Sequence, residues 1–144
     1  MTIWHKKIPL GSSPEILGGA AQALRIEIVE SGENFLLAKM PVDDGTKQPY
    51  GILNGGASCL LAETVGSVAS NAALEGAKVA VGMTLNASHI KPVKTGYVYG
   101  KATPTHLGRN SHVWQITITD DSQKLICLVV FTLAIITPKE SRIV

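Results

Sequence analysis

The sequence is poor in charged residues, in aromatic residues and in cysteine, and each shortage narrows the range of functions that the protein can have. Only 17 % of the 144 residues are charged, and 13 basic against 11 acidic side chains give a net charge of +2. The basic residues form no run, which argues against nucleic acid as a partner. Cys59 and Cys127 form neither a disulfide framework nor a C-x-x-C pair. We expect both to be buried small hydrophobic residues, with a nucleophilic Cys59 in the early turns of a helix as the alternative.

Long apolar runs and the common nucleotide and metal motifs are missing as well. No apolar stretch approaches the ~20 residues that cross a bilayer, and the first residues lack a signal-peptide core. We therefore expect a cytoplasmic protein with no membrane contact. The chain has no Walker A, G-x-G-x-x-G or G-x-S-x-G motif, and its four histidines lack the i, i+4 spacing of a helical zinc site. Neither a metal nor a separate cofactor is expected.

The length and the 45 % apolar content predict one folded domain over residues 1–144. Ser12 and Ser13 are the predicted N-cap of a short first helix. Alternating and continuous apolar patterns then predict strands and one long helix. The predicted strands are Leu24 to Val29, Asn34 to Met40, Val79 to Ile90, Tyr97 to Thr103, His112 to Thr119 and Leu125 to Thr137, and the helix runs from Gly55 to about Leu74.

The order of two strands, a long helix and four strands predicts an α+β domain with an antiparallel sheet. Short connections favour a meander of the last four strands, whereas the segment Pro104 to Asn110 is expected to be a loop. The helix is rich in small residues, so a curled sheet can wrap it closely, as in the hotdog fold. A single sheet layer leaves one face and two edges open. We therefore expect a homodimer, and two dimers in a homotetramer.

The stretch QPYGILNGGASCLLAETVGS, residues 48–67, carries the strongest indication of chemistry. Its apolar helix contains one acid, Glu63, and burying an unpaired carboxylate is costly. Ser67 is four residues later and shares its face. Gly55 and its neighbouring glycine leave helix N–H groups unscreened at the positive end of the dipole, where a carbonyl can be polarised.

Two interpretations of Glu63 remain open from the residues alone. A carboxylate facing an oxyanion site suits acyl transfer, by nucleophilic attack or by activation of water. In the other interpretation Glu63 pairs with a lysine across a subunit contact. Elsewhere, the loop that contains Arg109 is a candidate phosphate site or an ordinary solvated hairpin loop.

Three segments together carry a resemblance to a known family. They read MPVDDGTKQPYGILNGGASCLLAETVGSVA, GMTLNASHIKPVKTGYVYGKATPTHLGR and WQITITD. The chain resembles the hotdog-fold acyl-CoA thioesterases of the phenylacetate-type group. Within that group it is most similar to the bacterial dihydroxynaphthoyl-CoA thioesterases of menaquinone synthesis and to the proofreading thioesterases of enterobactin synthesis.

The resemblance implies hydrolysis of an aromatic or medium-chain acyl-CoA to the free acid and coenzyme A, which is part of the substrate. It makes Glu63 the nucleophile or general base, and it places Gln48 near the thioester. The Gly55 N–H would polarise the carbonyl, and Ser67 would orient Glu63 or water. The implied coenzyme A contacts are Gly82, His89, Ile90, Lys91, Pro92, His106, Leu107, Gly108, Arg109, Asn110 and Ser111.

Asn54 departs from the family pattern, because the relatives usually have histidine before the double glycine. If that histidine positions a carbonyl or Gln48, asparagine can replace it. If it donates a proton, turnover should drop. A non-catalytic acyl-CoA-binding or regulatory domain is therefore the alternative function. A thioester dehydratase would need the histidine that Asn54 replaces.

Overall fold

The secondary structure follows the predicted order of two strands, one long helix and four strands. The computed structural model describes residues 1–11 and 14–139, apart from the side chains of residues 14 and 15. Its elements are α1 (Pro14–Leu17), α2 (Gly19–Ala23), β1 (Glu27–Ser31), β2 (Leu36–Pro41), α3 (Gly55–Ala72), β3 (Val79–His89), β4 (Tyr97–Leu107), β5 (Ser111–Asp120) and β6 (Leu125–Ile136). The predicted N-cap at Ser12 and Ser13 lies outside the described residues. In the described part of the chain, no helix is both long and apolar enough to cross a membrane.

All six strands form one antiparallel sheet in the order β1-β2-β4-β5-β6-β3. This confirms the predicted α+β class. The predicted meander is right for β4, β5 and β6 and wrong for β3, which pairs with β6 instead of β4. Because β2 and β5 already occupy both edges of β4, the free edge of β6 is the place left for β3.

The long helix α3 packs on this sheet and contacts β2, β3, β4, β5 and β6. Leu61, Ala62, Val65 and Ala69 are completely buried on its sheet-facing side. Burial of these side chains is the main force that holds the helix on the sheet. The helix begins at the predicted Gly55 and ends at Ala72, two residues before the predicted end.

Two strand boundaries differ from the prediction. β1 begins at Glu27, because the preceding residues form α2 and Arg25 has a positive φ of 56°. The guanidinium of Arg25 holds this turn by two hydrogen bonds to Asp43, at 2.6 and 2.8 Å. β4 continues through Pro104 to Leu107, where a loop was predicted. Proline is tolerated there because it lies beyond the end of the pairing with β2 at Ala102 and beside a bulge in the pairing with β5, between Pro104 and His106.

The N-terminal arm, residues 1–11, covers one end of the core. Trp4 stacks on the buried Trp114 with ring centroids 6.2 Å apart. The backbone N–H groups of His5 and Lys6 both donate to the carbonyl of Ala72 at the end of α3. The arm therefore fixes the C-terminal end of the helix.

A buried histidine also joins α3 to β5. His112 and Ser70 are buried, and their Nδ1 and Oγ atoms are 2.6 Å apart. Burial, and to a lesser extent the nearby His106, lowers the pKa of His112 from its usual 6.5. The folded protein thus favours the neutral imidazole, since protonation would place a charge in the core.

Gly66 sets how closely α3 approaches the sheet, and Gly66→Ala should therefore destabilise the fold. A Cβ at this position would lie 2.7 Å from Cδ2 of Phe131, whose ring is 1 % exposed and has no room to move. We expect a loss of about 1–3 kcal/mol in the free energy of unfolding, measured by urea denaturation. Gly19→Ala is the control, because a Cβ on Gly19 in α2 meets nothing within 4 Å. An equal effect of both substitutions would contradict the proposed close contact.

His112→Gln should reduce the loss of stability in mild acid. Between the lowered pKa of folded His112 and the unfolded value near 6.5, only the unfolded chain binds the extra proton. Stability therefore falls as the pH drops through this window. Urea unfolding at about pH 8 and about pH 5 should show a larger loss for the wild type than for the variant. Equal losses in the two proteins would show that His112 does not cause the acid sensitivity.

Candidate active site

The first turn of α3 leaves one backbone donor open. Asn54 is the N-cap, and its Oδ1 accepts the N–H of Gly56 at 2.7 Å. Its main-chain carbonyl accepts the N–H groups of Ala57 and Ser58 at 3.1 and 3.2 Å. Within residues 1–11 and 14–139, the N–H of Gly55 has no acceptor. It is the unpaired donor at the positive end of the helix dipole.

This donor faces a cavity of about 400 Å³, called here the Gly55 cavity. The amide of Gln48 lies in its wall, and the Oε1 of Gln48 accepts the N–H of Tyr50. That hydrogen bond leaves the Nε2 donors of Gln48 for a ligand. The wall consists of Gln48, Ile52, Leu53, Gly55, Ser58, His89, Ile90, Lys91, Pro92, Val93 and Ile126. One cavity therefore brings together Gln48, Gly55 and the predicted segment His89 to Pro92.

The segment after β3 is held against the helix start by backbone hydrogen bonds. The N–H groups of Ile90 and Lys91 donate to the carbonyl of Ile126, at 2.7 and 3.1 Å. The N–H of Leu53 donates to the carbonyl of Val93 at 2.8 Å. These contacts are long-range in sequence, and they fix the far wall of the Gly55 cavity.

Glu63 is exposed in the single chain, which corrects the expectation that it is embedded among apolar residues. It belongs to a helix stripe with Cys59 and Ser67, which lie four residues before and after it. Its carboxylate lies beside β3, since a Cβ built on Gly82 would be 3.0 Å from Oε1 of Glu63. Glu63 and Gly82 are therefore neighbours in the structure.

A second cavity of about 450 Å³, called here the Glu63 cavity, contains Glu63 and Ser67. Their i, i+4 spacing puts both on one wall, as predicted. Sequence reasoning missed the opposite wall, because residues of the N-terminal segment reach it only through the tertiary fold. These residues are Lys6, Lys7, Pro9, Ile16 and Leu17.

Within one chain the two halves of the predicted site do not meet. Gly55 and Glu63 are eight positions apart, or about 12 Å along the helix axis. Cys59 lies between them on the same face, and the two cavities share no residue. A carbonyl bound at Gly55 is thus out of reach of the carboxylate of the same helix, because attack needs about 3–3.5 Å.

The third group of predicted residues surrounds the connection between β4 and β5. Leu107, Gly108 and Arg109 line a separate cavity of about 860 Å³, together with Lys78 and the buried His112. The Gly108 N–H donates to the carbonyl of Ser111 at 2.9 Å, and the Asn110 carbonyl accepts from Ile135 at 3.0 Å. His106 lies against Gly108. The predicted coenzyme A residues are therefore divided among three places, since Gly82 lies beside Glu63.

The thiols are unsuited to nucleophilic catalysis. Burial, and then the charge of Glu63, raises the pKa of Cys59. Burial is also the main cause that raises the pKa of Cys127 to about 11, with a smaller contribution from Cys59. The raised pKa argues against the alternative of a helix-activated Cys59, since its thiolate is disfavoured rather than stabilised.

Comparisons with known proteins identify the family of the chain. The sequence profile of the Thioesterase superfamily matches residues 50–127. A 1,4-dihydroxy-2-naphthoyl-CoA hydrolase of Escherichia coli is 42 % identical over 93 % of this chain and 99 % of its own length. A proofreading thioesterase of Cronobacter turicensis is 40 % identical over 87 % of this chain and 92 % of its own. The crystal structure of a thioesterase of Haemophilus influenzae superimposes with a TM-score of 0.93 at 43 % identity, covering 99 % of this chain and all of that one.

These similarities extend over nearly the whole chain, so they concern its fold and its chemistry together. The six-stranded sheet wrapped on α3 is the hotdog architecture of the solved relative. The relatives are named as hydrolases and thioesterases, not as binding proteins or dehydratases. The chain thus belongs to the thioesterase superfamily and is a thioester hydrolase with the hotdog fold.

Proposed function

We propose that the protein hydrolyses an acyl-CoA thioester with an aromatic or medium-chain acyl group. The observation that carries this proposal is the unpaired N–H of Gly55 in a cavity that also presents the amide of Gln48. A thioester carbonyl bound there gains partial positive charge on carbon. The developing oxyanion is stabilised by a donor that needs no reorganisation.

Glu63 attacks this carbonyl or activates the water that does. As a nucleophile, its carboxylate forms a mixed anhydride and releases the coenzyme A thiolate, and water then cleaves the anhydride. As a general base, it takes a proton from water while the hydroxide oxygen bonds to the carbonyl carbon. Ser67, one turn later, lines the same cavity and orients the carboxylate or the water.

The site is completed by a second copy of the chain, paired through β3. This strand is an outer edge of the sheet, is 11 residues long, and exposes Val81 and Met83. The other edge, β1, has five residues and a bulge between Ile28 and Glu30. Long edges that expose apolar residues favour pairing with another strand, whereas short, bulged and charged edges resist it.

Antiparallel pairing of two β3 strands would bring the two cavities together. Gly82 marks the Glu63 cavity and His89 marks the Gly55 cavity, and they are about 23 Å apart along β3. If Gly82 of one copy lies opposite His89 of the other, each Gly55 cavity meets the partner's Glu63 cavity. The resulting dimer has two sites, and we propose that two such dimers form a tetramer.

The acyl group occupies the Glu63 cavity. Its apolar wall includes Val68, Ile16 and Leu17, and its 450 Å³ is ample for a bicyclic ring, since about 150 Å³ holds benzene. An Escherichia coli relative acts on 1,4-dihydroxy-2-naphthoyl-CoA, and we propose a substrate of that size and a role in menaquinone biosynthesis in the cytoplasm. Lys91 and Arg109 are exposed cations that suit the phosphates of coenzyme A.

Asn54 serves this site by positioning rather than by proton transfer. Its amide oxygen is engaged by Gly56, and its side chain has no titratable proton near neutral pH. The cap that it forms directs the Gly55 N–H away from the helix. With asparagine at position 54, the site therefore keeps the Gly55 N–H that the carbonyl needs.

Glu63→Gln should lower kcat by at least about 100-fold, because it removes both the nucleophile and the base while keeping the size of the side chain. The rate is measured with a thiol reagent on benzoyl-, naphthoyl- and alkanoyl-CoA. Glu30→Gln, at an exposed position of β1, is the matched control and should leave the rate unchanged. Equal rates for wild type and Glu63→Gln would refute the role of Glu63, and a wild type inactive on every thioester would refute the substrate class.

The shared site is tested by complementation between two inactive subunits. Glu63→Gln and Gln48→Ala are co-expressed with different tags, and the mixed dimers are purified through both tags. If Gln48 and Glu63 of one site come from different copies, each mixed dimer has one intact site and about half the wild-type activity. If each site lies within one chain, the mixed dimers stay as inactive as their parents.

A further inference from the structure

We propose that the imidazole of His89 is the second hydrogen-bond donor to the thioester carbonyl, beside the N–H of Gly55. This inference deepens the proposed function and depends on it. It gives His89 a role at the reacting carbonyl, which differs from the coenzyme A contact implied by the family resemblance.

The ring of His89 lies directly against the first residue of α3. A Cβ built on Gly55 would be 2.9 Å from Nε2, 3.0 Å from Cε1 and 3.4 Å from Cδ2 of this ring. The three atoms nearest to that point all belong to His89, and none belongs to Gln48. The Nε2 edge therefore lies next to Gly55, on the wall of the Gly55 cavity.

Few other groups at the helix start can share this task. The N–H groups of Gly56, Ala57 and Ser58 already donate to Asn54, and the side-chain oxygen of Asn54 is occupied as well. Oxyanion sites commonly combine backbone and side-chain donors at 2.7–3.1 Å from the developing charge. Gln48 and His89 both line this cavity, and the His89 ring is the one nearest to Gly55.

The ring is available for a ligand and its backbone is held in place. Among the described residues, neither nitrogen of His89 has a hydrogen-bond partner or an ion pair. Its backbone pairs with Cys127 of β6, and the next residue, Ile90, donates to Ile126 at 2.7 Å. The imidazole is therefore an unpaired group on the wall of the Gly55 cavity, carried by an anchored backbone.

The chemical step needs a hydrogen bond from His89 but no proton transfer. As the nucleophile adds to the carbonyl carbon, the π electron pair moves onto oxygen, which accepts hydrogen bonds from the Gly55 N–H and from the N–H of His89. When the tetrahedral intermediate collapses, the pair re-forms the carbonyl, the C–S bond breaks, and the sulfur leaves with its electrons as coenzyme A thiolate. The protons of both donors stay where they were.

The glycine at residue 55 makes this contact possible. A side chain there would occupy the position of the His89 ring, since a distance of 2.9 Å is below any ordinary carbon contact. Glycine therefore admits both the carbonyl and the imidazole. The helix dipole alone would not require it, because a residue with a Cβ has the same backbone N–H.

His89→Phe tests the proposal by keeping a ring over Gly55 while removing the donor. We expect kcat to fall by about 100-fold or more, as for the loss of one oxyanion donor, with KM changed less than about threefold. His89→Gln restores a side-chain N–H and should recover part of the rate. A thioether analogue of acyl-CoA, which has no carbonyl, should bind wild type and His89→Phe with the same Kd.

The same measurements contain the outcomes that would overturn it. A raised Kd for the thioether with an unchanged kcat would make His89 only a coenzyme A contact, and an unchanged kcat and Kd would give it no role. His89→Leu replaces the phenylalanine variant if that variant does not fold, as judged by urea unfolding. His5→Gln, on the N-terminal arm beside Glu75, is the control histidine. Wild-type turnover separates the two proposals. An inactive wild type refutes the acyl-CoA function. An active wild type with a fully active His89→Phe variant refutes only the role of His89.

Discussion

The site depends on how Asn54 distributes hydrogen bonds at the start of α3. A helix begins with four backbone N–H groups that have no partner within the helix. Of the four, the N–H groups of Gly56 and Ala57 donate to the side-chain oxygen and the carbonyl of Asn54, and that of Asn54 itself donates to Thr46. The N–H of Gly55 is left open among the described residues. The role of every other group in the Gly55 cavity depends on its position relative to that donor. If the Asn54 side chain did not hold the N–H of Gly56, the first turn of the helix would fray. The open N–H of Gly55 would then have no fixed direction.

Close packing of α3 on the sheet fixes the position of this donor relative to the strands. The helix lies near enough for Gly66 to contact the ring of Phe131, and small or apolar residues fill the interface. The stripe of Cys59, Glu63 and Ser67, in steps of four, is less deeply buried and lies over the β3 edge of the sheet, where Glu63 is next to Gly82. The small residues that bring the helix down onto the sheet therefore leave this stripe at the sheet edge, between the N-terminal segment and β3.

Local patterns predicted the class of fold and the stretch from Gln48 to Ser67, because periodicity, capping and glycine pairs act over a few residues. They failed where the outcome depends on distant partners. Pro104 indicated a loop, but β2 ends before it and the strand continues. Glu63 was expected to be buried because its neighbours are apolar, yet the face of a helix depends on the sheet that it meets. The pairing partner of β3 also depends on distant residues, because β3 can pair only with an edge that the other strands leave free.

β3, whose pairing was predicted wrongly, is the strand that links the two halves of the proposed site. Near its start Gly82 touches Glu63, and at its end His89 touches Gly55. Strand pairing moves in discrete steps, so a shift of two residues between paired β3 strands would displace the two cavities by about 7 Å. That displacement exceeds the 3–3.5 Å between reacting atoms in a productive geometry. The register at this edge would therefore control catalysis as strictly as the residues themselves, and a strand without acid or nucleophile would be part of the active site.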